Sequence, residues 1–358
     1  MENKNQVLVS AIDVDMASVI CQNSRDSLYA FLKRMDLYVE PDWDKEVLAM
    51  LLRDTILENP EYILSIYGRE ILDFLIELWE SDSVELYQSG WSIVGQLKLL
   101  GFVDVKYTEG PDGTSGTIYM VNEARDAFYF YLKSRTAKML MEHYYIWEVL
   151  VRGLLIHYGI ISFNRLYYLF CRLIKSPVDD AEFHRFLSVR MELFHFGGFA
   201  LEKSANVEYY QSYEVTDPEQ VLEKRQENSK LDYFFPDYED VLYIAQNNGM
   251  GEWDGIGALA EIFLQLLDIE YYKTVITIKS CILMIQNDES PSQVEEHIYQ
   301  CCPEGRKYQD KMKSAVLSLY NSVPVYSLKG WNRKSLRKKH RSELPFTMIR
   351  GGKDGPNN

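Results

Sequence analysis

The sequence predicts a mainly α-helical chain with small β-hairpins. Apolar residues recur at steps of three and four through most of its 358 residues, which is the spacing of one helix face. Two short alternating runs beside glycine-containing turns interrupt this pattern and predict hairpins. Because 47% of the residues are hydrophobic, the chain can bury sizeable cores. We therefore expect two units of three helices and a hairpin, a long helix that joins them, and a C-terminal α-helical bundle.

The joining helix lies in the aromatic-rich stretch Asn122–Ile174. Polar residues recur there mostly at steps of three or four, which places them on one stripe of a helix and leaves the remaining surface apolar. They are Arg135, Lys138, Glu142, Glu148 and Arg152. Such a helix is buried on most sides, so we expect Trp147, Leu150 and Leu154 to lie deep in a core.

The N-terminal segment, residues 1–68, predicts two helices separated by an extended stretch. Ser24 and Asp44 are N-cap residues for helices over Asp26–Met35 and Lys45–Glu58. This arrangement resembles the nucleic-acid-binding Rho terminator N-terminal and SAP-like modules, and the resemblance implies nucleic-acid binding. Four basic residues between positions 26 and 54 are outnumbered by seven acidic ones, which disfavours that role.

The first predicted unit of helices and hairpin covers residues 69–134. Its three helices are Arg69–Glu80, Val84–Gln88 and Trp91–Leu100, the last of which ends at a glycine cap. The stretch Phe102–Val121 contains a Pro-Asp-Gly turn between alternating runs and predicts a hairpin. Three helices followed by a hairpin resemble the order of elements in a winged helix.

A second winged-helix-like unit is predicted over residues 135–216. The long helix ends near His157, helices follow over Phe163–Ile174 and Ala181–Phe194, and Phe199–Tyr213 predicts the second hairpin. The long helix then belongs to both units. This repeat is inferred from the order of elements, since the two copies share no visible sequence identity.

The remaining chain predicts three segments. Residues 217–236 are charged and polar and predict a linker, and residues 237–322 predict an α-helical bundle. Residues 323–358 lose helical periodicity and form a basic tail ending in Gly, Pro and Asn. We expect most of this tail to be disordered or weakly held.

Charge argues against nucleic-acid recognition by the body of the protein. The formal net charge is −15, and residues 329–358 hold nine Lys or Arg against two acidic residues, which leaves −22 for residues 1–328. The third helix of a winged helix usually reads DNA bases with basic or amide side chains. Here the first offers only Gln96 and Lys98, and the second offers Arg185 and Arg190 beside acidic residues. We therefore predict that these units dock proteins or dimerise.

The basic tail is the other candidate contact for nucleic acid or an acidic partner. A solvated tail, or a tail that folds back on the acidic body, is the alternative. Any nucleic-acid affinity is expected to be weak and sensitive to salt. The candidate residues are Lys329, Trp331, Arg333, Lys334, Arg337, Lys338, Lys339 and Arg341.

No constellation in the sequence predicts catalysis, a metal site or a cofactor. The glycine-rich stretch Gly249–Gly257 matches no phosphate-binding motif and predicts a flexible loop between helices. His184 and His195 lack metal-ligand spacing, and the adjacent Cys301 and Cys302 disfavour a disulfide.

The sequence shows no pattern typical of export or of membrane insertion. The five cysteines form no C-x-x-C pair, and aspartates interrupt the N-terminal apolar stretch where a signal peptide would lie. The uncharged run Gly153–Asn164 is too short to span a bilayer. The sequence thus predicts a soluble cytoplasmic protein without a membrane partner.

The stretch Leu319–Trp331 contains Tyr-Asn-Ser-Val-Pro and Lys-Gly-Trp. It resembles the C-terminal motif of uncharacterised Firmicutes-type proteins, some of which add a Rho-N-like start and a cysteine-rich SEC-C zinc knuckle. This chain lacks that knuckle, and the resemblance implies a bacterial or phage cytoplasmic origin. We predict a non-enzymatic interaction or regulatory scaffold, with a nucleic-acid-associated transcriptional regulator as the alternative.

Overall fold

The computed structural model describes residues 14–81, 83–85, 91–110, 113–194, 199–201 and 207–343. The chain is mainly helical with two small antiparallel sheets, as the sequence predicts. It divides into a first compact unit, Met1–Arg152 with Phe163–Gly198, and a second compact unit, Gly153–Ser162 with Phe199–Asn358. None of the helices in the described ranges combines the length and the apolar character needed to cross a bilayer.

Two helices of the first compact unit begin with side-chain capping hydrogen bonds, whereas the predicted cap Asp44 precedes α3 without such a bond. The Asp15 side chain accepts a hydrogen bond from the backbone N–H of Ser18, and Ser24 accepts one from Ser27. Predicted and observed helices agree to within two residues, except that a helix was predicted at Val84–Gln88 and that α1 was not predicted. The helices are α1 (Met16–Ile20), α2 (Arg25–Arg34), α3 (Lys45–Glu58), α4 (Pro60–Tyr67), α5 (Arg69–Ser81), α6 (Trp91–Leu99), α7 (Asn122–Lys133), α8 (Arg135–Tyr158), α9 (Phe163–Ile174) and α10 (Asp180–Phe194).

The first sheet contains β1 (Ser83–Glu85), β2 (Val103–Gly110) and β3 (Gly113–Met120) in the order β1-β3-β2. Strands β2 and β3 confirm the antiparallel pairing predicted over Phe102–Val121, and residues 111–112 of the predicted turn lie outside the described residues. The helix predicted at Val84–Gln88 is wrong for its described part, because Val84 pairs with Ile118 in an antiparallel ladder. A β-branched residue beside a distant strand gains cross-strand packing that local periodicity cannot show. The rest of that prediction, residues 86–88, lies outside the described residues.

The second sheet has the same topology and belongs to the second compact unit. Strand β4 (Ile160–Ser162) pairs with β6 (Glu208–Gln211), which also pairs with β5 (Phe199–Leu201). Strands β5 and β6 confirm the antiparallel pairing predicted over Phe199–Tyr213, and their connection lies outside the described residues. Strand β4 was not predicted, because three residues are too short a run for any periodicity to be read.

The C-terminal half of the long helix α8 is buried as predicted, whereas its N-terminal half exposes Met139, Tyr145 and Ile146. Trp147 is 2% exposed, and both Leu150 and Leu154 are 0% exposed. The Trp147 ring lies 5.3 Å from Phe170, 5.7 Å from Phe183 and 5.4 Å from Phe186, measured between ring centroids, in edge-to-face contacts. An aromatic cluster thus forms the core of the first compact unit around α8.

Apart from the second sheet, the second compact unit is a helical bundle whose core is mainly aliphatic and also contains Phe263. Its fully buried side chains include Leu259, Ile282, Val294, Val316 and Leu319. A π-helical turn, Ile262–Leu266, extends α13, and a 3-10 helix, Pro303–Tyr308, precedes α16. The helices after the second sheet are α11 (Pro218–Glu227), α12 (Tyr238–Gln246), α13 (Ile256–Glu261), α14 (Tyr271–Gln286), α15 (Pro291–Cys301), α16 (Gln309–Ser322) and α17 (Arg333–Glu343).

The first residues of the predicted tail are buried in the core of the second compact unit. Val323, Val325 and Tyr326 are fully buried, and the backbone N–H of Tyr326 donates to the Gln286 carbonyl at 3.0 Å. The expectation of weak packing is therefore wrong for residues 323–343, which end in α17. The buried residues are too few to show a period, and the surfaces that cover them come from distant sequence. Residues 344–358 lie outside the described residues.

Arg225 of α11 donates hydrogen bonds at the C-terminal end of α8 in the second compact unit. Its guanidinium donates to the carbonyl oxygens of Tyr158 at 2.6 Å and Tyr326 at 2.8 Å, and also to that of Ile160. Tyr158 is the last residue of α8, where carbonyl groups lack partners within the helix. Burial lowers the pKa of Arg225, and the neighbouring Tyr233 opposes the shift. A residue of the predicted linker thus satisfies a helix terminus.

Candidate functional site

The basic residues of the two candidate reading helices are engaged within the first compact unit. Lys98 on α6 forms an ion pair with Asp104 at 3.1 Å. Arg190 on α10 is buried, pairs with Glu148 at 2.7 Å, and donates to the Tyr67 carbonyl at 2.8 Å. Burial also lowers the pKa of Arg185. These side chains stabilise the fold and are poorly placed to reach DNA bases.

The cations of the N-terminal segment are partly engaged in the same way. Arg53 on α3 pairs with Glu123 at 2.5 Å and with Asp54 at 2.9 Å. Glu123 also accepts a hydrogen bond from the backbone N–H of Met16 at 2.8 Å. Hydrogen bonding to Arg53 lowers the pKa of this carboxyl group. Glu123 therefore joins α1 and α3 to α7, and Arg53 is directed toward that junction.

The first three predicted contact residues of the tail serve the fold of the second compact unit. The Lys329 ammonium donates to the carbonyl oxygens of Asn228 at 3.0 Å and Leu231 at 2.6 Å. The Trp331 indole N–H donates to the Asp232 carbonyl at 2.8 Å. Arg333 lies 3.7 Å above the centre of the Tyr320 ring and 3.5 Å from an Asp288 carboxylate oxygen. Sequence reasoning found these residues but could not see their intramolecular partners.

The remaining predicted cations lie on α17. Lys334, Arg337 and Lys338 are exposed and border a shallow pocket of about 430 Å³ that Asp254, Ser318 and Asn321 also line. Lys334 pairs with Asp254 at 2.6 Å. Lys339 lies 5.0 Å from the centre of the Trp331 ring, and Arg341 belongs to the same helix. The structure thus keeps three of the eight candidates together on an exposed helix face.

The structure describes one of the two histidines singled out from the sequence, and its contact is with an aromatic ring. His184 contacts the Phe163 ring edge-to-face at 5.2 Å, and His195 lies outside the described residues. Within the described ranges, no group of three or more His, Cys, Asp or Glu side chains could hold a metal ion.

A further trio, which the sequence analysis missed, joins α14 and α15. The His297 Nε2 atom lies 2.7 Å from the Ser280 hydroxyl and 3.7 Å from the Cys301 sulfur. The Ser280 hydroxyl donates to the Thr277 carbonyl at 2.8 Å, so it accepts from His297. In that arrangement His297 Nε2 carries a proton and does not act as a base toward Ser280.

An apolar groove of about 450 Å³ lies in the first compact unit. Leu72 and Ile76 are one turn apart on α5, and Met141 and Tyr145 are one turn apart on α8, so both helices present a side-chain row to it. Asp73, Lys138 and Glu142 add charge among its lining residues. The adjoining helices also carry large apolar side chains exposed to solvent, namely Phe130, Met139, Tyr145 and Ile146.

A second pocket, of about 300 Å³, lies within the second compact unit and is acidic and aromatic. Glu239 and Asp240 come from the first turn of α12, and Glu252 comes from the loop before α13. Phe234, Tyr243 and Trp253 contribute rings, and His157 at the end of α8 also borders it. The glycine-rich stretch predicted as a flexible loop between helices is thus one wall of this pocket.

Little in the sequence indicates either the apolar groove or the acidic and aromatic pocket. The apolar spacing of α5 and α8 was visible, but periodicity does not tell which apolar residues remain uncovered. The acidic pocket combines residues more than 170 positions apart, from His157 to Asn332, which no local motif connects. No protein-family model, curated protein or solved structure matches this chain.

Proposed function

We propose that the chain is a non-enzymatic interaction or regulatory scaffold that docks another protein at its first compact unit. The observation that carries this proposal is the apolar groove between α5 and α8, with exposed large apolar side chains beside it. Contiguous exposed apolar surface that includes aromatic side chains is typical of protein-binding sites. Leu72 and Met141 would contact the partner's apolar residues, and Lys138 and Glu142 would set its orientation.

The proposal includes two winged-helix-like units. Elements α8, β4, α9, α10, β5 and β6 follow the order helix, strand, helix, helix, strand, strand, and the first strand pairs with the last. Among the residues that the structure describes, elements α5, β1, α6, β2 and β3 give the same order without the middle helix, and again the first strand pairs with the last. This shared connectivity supports the winged-helix interpretation.

Charge favours a protein partner over DNA. The candidate reading helices use Lys98 and Arg190 in ion pairs with Asp104 and Glu148. A winged helix that reads the major groove needs basic or amide side chains directed toward base edges. A net charge of −15 adds long-range repulsion from phosphate. Protein docking or self-association therefore fits the surface better than duplex recognition.

The cytoplasmic, bacterial or phage setting remains part of the proposal. Its support is the likeness of the Leu319–Trp331 stretch to the C-terminal motif of Firmicutes-type proteins. In this chain the stretch carries the buried Val325 and Tyr326 and the carbonyl-binding Lys329. The motif residues thus have a structural role that requires no activity.

The test is capture of partners by the tagged full-length chain, with and without nuclease. We expect a defined protein to be retained after nuclease treatment, and Tyr145→Glu to reduce its recovery at least about tenfold by placing a charge in the groove. Tyr107→Glu is the matched control, because Tyr107 and Tyr145 are both 53% exposed and lie in the same compact unit. Capture that nuclease abolishes, or that Tyr145→Glu leaves intact, would contradict the proposal.

The alternative function, a nucleic-acid-associated regulator, rests on the exposed face of α17. Lys334, Arg337 and Lys338 are spaced to share that face. Fluorescence anisotropy with labelled DNA and RNA tests it at low and physiological ionic strength. If the alternative holds, replacing all three cations by glutamine reduces the affinity and flattens its salt dependence.

A further inference from the structure

The acidic and aromatic pocket of the second compact unit has an unusual charge balance. Its lining residues include the exposed carboxylates Glu239, Asp240 and Glu252 but no Lys or Arg. Burial raises the pKa of Asp240, as do the like charges of Asp237, Glu252 and Glu239. A bound cation would relieve this repulsion, because opposite charges within a few ångströms stabilise the ionised carboxylate.

The rings around the carboxylates are held in place by close packing. A Cβ atom on Gly251 would lie 2.6 Å from the Trp253 ring, so the indole rests directly against this backbone. Tyr243 is partly exposed, and Phe234 stacks on His157 with 5.8 Å between ring centroids. Ring faces beside carboxylates suit a cation that carries methylene groups, since the rings attract its charge and cover its apolar part.

His157 is the independent sign of a ligand. It is 5% exposed and borders the pocket. Its backbone contact with Gly330 engages at most one ring nitrogen, so at least one nitrogen has no hydrogen-bond partner in the described part of the chain. Buried polar atoms are nearly always hydrogen-bonded, and those that are not call for an explanation such as a missing ligand. Burial lowers the pKa of His157 to about 4, and the backbone of Gly330 opposes this shift. The neutral ring can donate one hydrogen bond and accept another.

We propose that this pocket binds an alkylammonium group, with Glu239, Asp240 and Glu252 holding the charge and His157 accepting one N–H of the ligand. The aromatic rings of Tyr243 and Trp253 contact the methylene chain. A volume of about 300 Å³ is small for a ligand site, which fits a single amine-bearing chain. Two sources share this chemistry, a free polyamine and a lysine side chain of a peptide.

Isothermal titration calorimetry of the full-length chain tests the proposal. The probes are spermidine, N-acetyl-lysine methylamide and, as the uncharged comparison, its Nζ-acetylated form. We expect one saturable site for at least one of the two amines and none for the acetylated probe. Tighter binding of spermidine assigns the site to free polyamines, and tighter binding of the lysine derivative assigns it to peptide side chains.

Substitutions locate the site. Asp240→Asn and Glu252→Gln should each weaken binding about tenfold, the usual effect of losing one charge-assisted hydrogen bond. Glu219→Gln is the matched control, because Glu219 in α11 and Glu239 in α12 are both exposed first-turn glutamates. Both test residues are exposed, so the variants should fold, which thermal unfolding checks. Absence of saturable binding, equal weakening by Glu219→Gln, or equal binding of the acetylated probe would overturn the proposal.

Discussion

The two compact units differ in the side chains that form their cores and in the groups that pair with their buried arginines. The first surrounds Trp147 with aromatic rings and satisfies its buried Arg190 with the Glu148 carboxylate. The second packs mainly aliphatic side chains, with Phe263 among them, and satisfies its buried Arg225 with backbone carbonyl oxygens. A carboxylate partner is encoded by one other residue, whereas a set of carbonyl groups is supplied only by the folded backbone. The second arrangement therefore depends more on the fold as a whole.

The largest effect should come from Arg225→Met. The substitution removes the Arg225 donor from three buried carbonyl oxygens, of which that of Tyr326 keeps the backbone N–H of Lys329. Each of the two unsatisfied groups costs about 1–3 kcal/mol, so we expect a loss of about 2–6 kcal/mol in the free energy of unfolding. Urea denaturation measures it. Lys224→Met is the control, since Lys224 is partly exposed and pairs only with Asp288 among its identified partners, and should cost less than about 1 kcal/mol.

Arg190→Met should cost about 3–5 kcal/mol, because it leaves Glu148 without its buried partner. The double variant Glu148→Leu, Arg190→Met should recover part of this loss, since an apolar pair avoids the desolvation of both charges. No single second substitution can rescue Arg225→Met in this way. A double variant as unstable as Arg190→Met would remove the contrast between the two arginines. Denaturation curves of Arg190→Met, of the double variant and of Arg225→Met measure these differences in the free energy of unfolding.

The two cores can be compared by truncating one large side chain in each. Trp147→Ala should cost about 3–5 kcal/mol in the first compact unit, and Leu319→Ala about 2–5 kcal/mol in the second. Calorimetry of the full chain also asks whether the two units unfold separately. A change below about 1 kcal/mol at Trp147 would contradict its place at the centre of the aromatic cluster.

His157 should make stability depend on pH. Its pKa is about 4 in the folded protein against 6.5 for the ordinary side chain. A histidine with a lowered pKa binds fewer protons when folded, so its contribution is complete above pH 6.5 and is lost as pH falls toward 4. The full loss is about 3 kcal/mol. The measurement is the unfolding free energy at pH 7 and pH 4.5, which should differ less in His157→Gln than in the unaltered chain.

The smallest effect is expected at Lys334→Gln. Lys334 and Asp254 form an exposed ion pair at 2.6 Å, and such pairs contribute about 0–1 kcal/mol. Thermal unfolding should therefore change little. A clear loss of stability would show that the α17 face contributes to the fold of the second compact unit, in contrast to its proposed exposure to a partner.

Local sequence signals determined the helices. Ser24 caps α2, and the polar stripe from Arg135 to Arg152 predicts a buried α8 that the structure confirms at Trp147 and Leu150. The Pro-Asp-Gly turn predicts the antiparallel pairing of β2 and β3 correctly. These signals are readable because capping, periodicity and turn chemistry act between residues a few positions apart.

Tertiary structure decided the rest. Val84 belongs to a strand because it pairs with Ile118. Lys329 is buried because its ammonium group donates hydrogen bonds to the carbonyl oxygens of Asn228 and Leu231. His157 lines an acidic pocket whose other lining residues come about 80 to 175 positions later in the sequence. In each case the deciding partner is remote in the chain, and the free energy of burying and pairing polar groups depends on which remote groups the fold brings together.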